Sequence, residues 1–444
     1  MLVCGALMSA LTQAVAVATG RDFLFGIIPA FAPGGSRNLI TWESSMLLAV
    51  CGSLTALVAG SRSVRGDSSA RGWWTLAGVM GLFSLAWMTG LARLLFGDLV
   101  SIANVAWVLA LAGGLVAAIA LVSTRQASSP AVPASVWLAL LLIVVSRLPH
   151  GQTNASAAVS DLMNRGLEWL GMTLVALACM KTLSQHAPTL AVRVERTGRW
   201  PLRIRHTESD VALMVCPATV ALWSAAAIVL LSTASLVSAG LASSGGPHGE
   251  LWYRFLFVDF EGNLPTWSAA LLLLSAGLVA ALVGAAERAR GVGEWWYWVL
   301  MATGFVALSA DEAASLHELL VVPLRALVGG TPWLRYPLVI PGSMAAAAAV
   351  VVFGRFVRRL PTETQRSLVG GGAVFLLGSL VLETIGGWFD PVLHGDNLPY
   401  VLLATAEEAC EMIGVTIVIV GLLRYIEQHV SAIDVHIVDD LPDR

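Results

Sequence analysis

The chain has 444 residues, 57% of them hydrophobic and only 12% charged, with a formal net charge of -3. Soluble domains are about 25% charged, so this composition, with a mean hydropathy of +0.77, excludes a soluble globular protein. No nucleic-acid signature, phosphate-binding glycine loop, nucleophile elbow or paired-cysteine spacing is present, and Cys4, Cys51, Cys179, Cys216 and Cys410 stand singly in apolar runs, as small buried hydrophobes do.

Apolar runs repeatedly reach the roughly 20 residues that a bilayer crossing takes. They lack β-type alternation, so the expected fold is an all-α polytopic membrane protein whose helices satisfy their own backbone groups. Twelve spans are predicted, near 3–20, 38–60, 73–96, 101–123, 134–149, 159–182, 211–240, 264–286, 295–320, 337–358, 367–389 and 400–425. The first is short and holds Gln13, so it reads either as a span or as a cleaved signal, and the missing basic start argues against a signal.

The chain repeats itself. Asn38-Leu39-x-Thr41-Trp42 opens the second span and Asn263-Leu264-x-Thr266-Trp267 the eighth; Trp73-Trp74 opens the third and Trp295-Trp296 the ninth. Glu168, Gly171, Thr173 and Val175 match Glu411, Gly414, Thr416 and Val418 without a gap. The expected domains are an N-terminal six-helix repeat (1–190), a basic cytoplasmic linker (191–210), a parallel C-terminal six-helix repeat (211–426) and a polar cytoplasmic tail (427–444). Leaving aside the terminal Arg444, 17 basic residues fall on the inner side of this topology and 8 on the outer. That asymmetry is the positive-inside pattern. It places both termini in the cytoplasm, with a bacterial inner (plasma) membrane as the expected location.

The same topology sorts the acids. Ser309 to Leu320 reads SADEAASLHELL and carries Asp311, Glu312, His317 and Glu318; Glu383 lies in LETIGGW; Glu407, Glu408 and Glu411 lie in AEEACEMIG. All fall in the second half, Glu411 near the membrane middle and the others outward of it. A charge within a span is costly and marks a functional site. On a continuous helix, Asp311, Ser315 and Glu318 share a face at i, i+4 and i+7, with Glu312 and His317 flanking it. Glu407, Glu411 and Gly414 share another face, with Glu408 beside it. If these faces meet, the carboxylates require protons or a cation among them.

Three functions fit. In a metal-dependent enzyme acting on a lipid or lipid-linked substrate, Asp311, Glu312, His317, Glu318, Glu383 and Glu411 hold a divalent metal ion. Zinc, manganese or iron suit this mixed set better than calcium or magnesium, and Glu407 or Glu408 serves as general base. In a cation- or proton-coupled transporter the same acids form the coupling site; against it, no charged path toward the inner side is visible in the sequence. In a non-catalytic assembly or sensor protein, the cluster binds calcium or seals the fold. The solvated end of a span is the alternative for DEAASLHE, and a buried acid bonded to a neighbouring helix or to an arginine the alternative for Glu383. The partners expected are the bilayer and a lipid-type substrate, with no nucleic acid.

Overall fold

The computed structural model describes residues 38–89, 154–184, 189–206, 210–245, 248–328, 337–389, 397–430 and 433–436, with four more between 136 and 142. The spans expected near 3–20, 101–123 and most of 134–149 lie outside the described residues, as does the loop 390–396.

The described chain is mostly helical. Among the described residues, seven helices are long and apolar enough to cross a membrane, or eight if one bent pair counts as a single span. The chain divides into two compact units: Met1–Val192, Ile204–Leu213 and Asp434–Arg444 form one, and Arg193–Arg203 with Met214–Ile433 form the other.

In the first unit, α1 (Leu39–Val64) and α2 (Ala70–Thr89) make an antiparallel hairpin, and α3 (Asn154–Ser184) packs on α1. The Asn38 side chain caps α1 by accepting from Thr41 N at 2.8 Å; this satisfies one of the four amides that a helix start leaves open. The turn after α1 needs a left-handed residue, and Gly66 supplies it at φ 72°. Arg62, 3% exposed, is held there by Asp67 and Ser69, each at 2.7 Å. Ser84 donates to Ser45 O at 2.8 Å across the hairpin. Leu48, Val58, Leu76, Met80, Met172 and Val175 fill the core between the three helices.

In the second unit, α4 (Pro217–Ser243) and the short α5 (Gly249–Leu256) precede a second hairpin of α6 (Leu264–Ala289) and α7 (Trp295–Ala314). Then come α8 (Glu318–Val328), α9 (Val339–Val357), α10 (Thr362–Phe389) and α11 (Leu398–Tyr425). Asn263 and Asn397 cap α6 and α11, accepting from Thr266 N at 3.1 Å and Tyr400 N at 2.9 Å, and a proline occupies the first turn of each. α11 is the central element: α10, α4 and α6 all pack on it. The α10 crossing is close because it is lined by glycine. A Cβ on Gly414 would lie 2.6 Å from Gly371 O. Bilayer helices gain nothing from hydrophobic burial against each other, so association rests on such close contact.

Two expectations are corrected here. The linker 191–210 is not a plain loop: β1 (Thr189–Val194), β2 (Leu202–His206) and β3 (Asp210–Val215) cover half of it. The acidic tail contributes β4 (Ile433–His436). The four form one sheet in the order β2-β3-β1-β4. Leu202-Arg-Ile-Arg-His alternates with a period of two, the strand period. The second correction concerns the expected span 295–320, which is broken. α7 ends at Ala314, Ser315 adopts a left-handed conformation at φ 52°, and α8 departs at 74°.

A carboxylate-histidine cluster in the second unit

The break in α7–α8 builds the site. Ser309, fully buried, donates to Ala270 O at 2.8 Å and pins the last turns of α7 to α6. Two residues on, the Asp311 carboxylate receives the backbone amide of His317 at 2.8 Å on one oxygen and faces its Nδ1 at 3.0 Å with the other. That double grip is possible only because the helix has stopped; on a continuous helix the two side chains diverge by six residues of rotation, about 600° or 240° net. The far ring nitrogen, Nε2, lies 3.7 Å from Glu261 Oε1. Within the turn, Ser315 is 6% exposed, and its Oγ has no hydrogen-bond partner among the described residues.

Glu261 is positioned by a folded loop before α6. Gly262 takes φ 71°, the Asn263 amide donates to Phe257 O at 2.6 Å, and Thr266 Oγ1 donates to Phe260 O at 3.2 Å. Asp259, in the same loop, accepts from Tyr400 OH of α11 at 2.8 Å. Tyr253, Phe257 and Phe260 pack together beneath it with ring centres 4.6 to 5.4 Å apart.

α11 and α10 complete the cluster. The face of α11 bearing Glu407, Glu411 and Gly414 turns to α10: a Cβ on Gly378 would meet Glu407 O at 2.7 Å and Glu411 Cγ at 2.9 Å. Gly378 sits in a π-helical turn, Leu377–Leu382, immediately before Glu383. Such turns often accompany functional sites. Glu411 lies within electrostatic range of Glu312, Glu383, His317 and Asp311. Glu407 and Glu408 each feel Glu411, Glu312 and Asp259, and Glu383 feels His317 and Asp259. Thus Asp311, Glu312, His317, Glu383, Glu407, Glu408 and Glu411 are brought into one region.

Glu318 departs from expectation. It opens α8, is exposed, and no longer shares a face with Asp311 and Ser315, because Ser315 ends that face. Among the described residues, no group of three or more His, Cys, Asp or Glu side chains is arranged to hold a metal ion. The set Asp311, Glu312, His317, Glu318, Glu383 and Glu411 is therefore not assembled as a closed metal centre. Asp259 and Tyr400 were not legible as site residues: a single acid in an aromatic loop outside a span is unremarkable in a sequence.

Residues 215–426, which contain the whole cluster, match the family model described as Domain of unknown function (DUF8692). No curated protein and no solved structure matches the chain.

Proposed function

We propose that the chain is a cation- or proton-coupled membrane transporter, with the cluster around Asp311, His317 and Glu411 as its coupling site. The observation that carries this reading is the interrupted helix α7–α8. Transporter sites form at discontinuous membrane helices, where backbone and side chains freed by the break meet the ion. Here the break holds Asp311 against His317, with carboxylates of α10 and α11 in electrostatic range. So many like charges in a low dielectric are held only with protons or a cation among them. The opposite ends of α6 and α11 also carry charge: Glu287, 2% exposed, accepts from Arg290 at 2.7 Å and from Tyr425 OH at 3.2 Å. At about 1.5 Å per residue, the 26 residues of α6 span about 39 Å, so the unit has a polar site toward each membrane face.

The architecture belonging to this reading is two parallel six-helix repeats (1–190 and 211–426), both termini cytoplasmic, in a bacterial inner membrane. Support comes from the two hairpins. α1 and α6 both have 26 residues and an asparagine cap; α2 and α7 both have 20. Gly66 and Gly291 both take left-handed φ, 72° and 76°. Ser84 bonds Ser45 O, and Ser309 bonds Ala270 O, each at 2.8 Å. One register of 225 residues relates all these pairs. In it Trp73 corresponds to Trp298, both buried, rather than to Trp295.

The test is ion flux into proteoliposomes under imposed proton, sodium, potassium or calcium gradients, read with an internal pH dye for protons and ion-selective dyes for the metal cations. Wild type should carry at least one of these, and Glu411→Gln and Asp311→Asn should each reduce the flux at least tenfold. Equal flux in wild type and variants, or none in any, sinks the proposal.

A metal-dependent enzyme acting on a lipid or lipid-linked substrate is the second reading. It is favoured by the Asp311–His317 pair, since a carboxylate that fixes an imidazole is the arrangement of a general base. Glu407 and Glu408 would then assist, and a divalent ion would require the carboxylates to rotate inward. Stoichiometric zinc, manganese or iron in the purified protein, lost in a His317→Ala, Glu411→Gln double variant, would move the assignment to this reading.

A further inference from the structure

We propose that residues 193–203, with the first turns of α4, bind an anionic phospholipid headgroup. This site is remote in sequence from the acidic cluster and does not depend on the transport reading.

α4 is among the least covered of the membrane-length helices, with only 17% of its apolar window buried. Leu222, Trp223, Val229 and Leu230 are all exposed on it. In a chain this apolar, such a surface faces acyl chains. The segment 195–203 is fastened to the start of this helix. Glu195 N donates to Val215 O at 2.8 Å and Cys216 N donates to Pro201 O at 3.0 Å. Gly198 passes so close to Cys216 that a Cβ there would lie 3.2 Å from the Cys216 Cβ. The loop is therefore a fixed element rather than a loose connection.

Its tip carries two kinds of side chain. Trp200 stacks on Trp223 with ring centres 6.0 Å apart and planes 20° from parallel. Both indoles remain about half exposed, at 56% and 51%. Trp223 is the seventh residue of α4, about 9 Å along the helix; the pair therefore sits at the depth where indoles settle between headgroups and acyl chains. In the same stretch of chain Arg193, Arg196, Arg199 and Arg203 are exposed. The single acid of the stretch, Glu195, is taken by Arg203 at 3.1 Å. Four arginines and one glutamate leave a net charge of +3 between Arg193 and Arg203, and among the described residues Arg193, Arg196 and Arg199 make no ion pair. A guanidinium presents a planar fork of donors that matches a phosphate. An exposed indole pair continuous with a lipid-facing helix favours a phosphate that carries acyl chains.

The experiment titrates detergent-purified protein with phosphatidylglycerol and, separately, phosphatidylcholine, and counts retained lipid by native mass spectrometry. Wild type should hold phosphatidylglycerol preferentially. Each arginine near an anionic surface contributes about fivefold, so R193Q/R196Q/R199Q should weaken that lipid on the order of a hundredfold. Trp200→Ala should weaken both lipids modestly. The triple variant R355Q/R358Q/R366Q removes three exposed arginines elsewhere in the same unit and should change little. Circular dichroism and size-exclusion profiles matching wild type establish that each variant is folded. Equal retention of the two lipids by wild type overturns the proposal. Equal loss in the two triple variants overturns it too, in favour of diffuse attraction to net charge. Inorganic phosphate binding as tightly as phosphatidylglycerol overturns the lipid assignment.

Discussion

Replacing Gly414 with alanine tests whether the α10–α11 crossing holds the cluster together. The new Cβ would meet Gly371 O and Phe375 N at 2.6 Å, against 3.4 Å for ordinary contact. The helices must separate locally by up to about 0.8 Å, because backbone atoms cannot rotate away. A gap of that size forfeits a quarter to a half of the dispersion energy of each affected atom pair, about 0.1–0.2 kcal/mol at full depth. With some tens of pairs at a helix crossing, the loss is about 1–3 kcal/mol, the usual cost of overpacking. Alanine returns about 1 kcal/mol of helix propensity, so the fair comparison is Gly372→Ala, one residue beyond Gly371, where nothing lies within 4 Å. Unfolding in mixed detergent micelles should rank Gly414→Ala below Gly372→Ala by about 1–3 kcal/mol. A Gly414→Ala protein as stable as Gly372→Ala would refute the reasoning.

Other outcomes follow from buried polar contacts. Ser84→Ala and Ser309→Ala each remove a buried hydroxyl-to-carbonyl bond of 2.8 Å and should each cost about 1 kcal/mol; the same unfolding assay reads both, and a null effect in either contradicts this. Asn263→Ala should cost more in that assay than the about 1 kcal/mol of a cap alone, because Asn263 both caps α6 and donates to Phe257 O. Asp67 supplies a pH test outside the spans. Partial burial raises its carboxyl pKa, but hydrogen bonds from Ser69 and the Arg62 guanidinium outweigh this and hold it below the ordinary value. A depressed folded value gives stability that is fully present above the unfolded value of about 4 and is lost as pH falls through the folded one. Asp67→Asn should therefore melt below wild type at pH 7, with the gap closing below about pH 4; a constant gap from pH 7 to 3 would contradict the linkage.

Much of the helical frame was legible. Asn38 and Asn263 announced their helices through cap chemistry that survives without tertiary context. The acids of α11 were equally plain, since a glutamate flanked by apolar residues has few bland explanations. The break at Ser315 was not: the nearest glycine in α7, Gly304, lies eleven residues earlier, no proline precedes the break within the helix, and the left-handed turn is stabilised by what Asp311 grips after the helix ends. Nor were the strands. Thr189–Val194 and Ile433–His436 are too short to be distinguished from loop, and they become strands by pairing across the length of a domain.

That pairing has a consequence for biosynthesis. β1 and β4 are neighbours in the sheet, yet about 240 residues separate Val194 from Ile433. Entropy is a small obstacle, since closure cost grows only logarithmically with loop length. Time is a larger one. A ribosome adding 5–20 residues per second needs about 12–50 s to reach the last strand. Throughout that interval the β1 edge stands open, with the ladder hydrogen bonds of one side unmade, a template for any extended segment nearby. The four residues of β4 thus decide when this protein stops carrying a half-paired sheet.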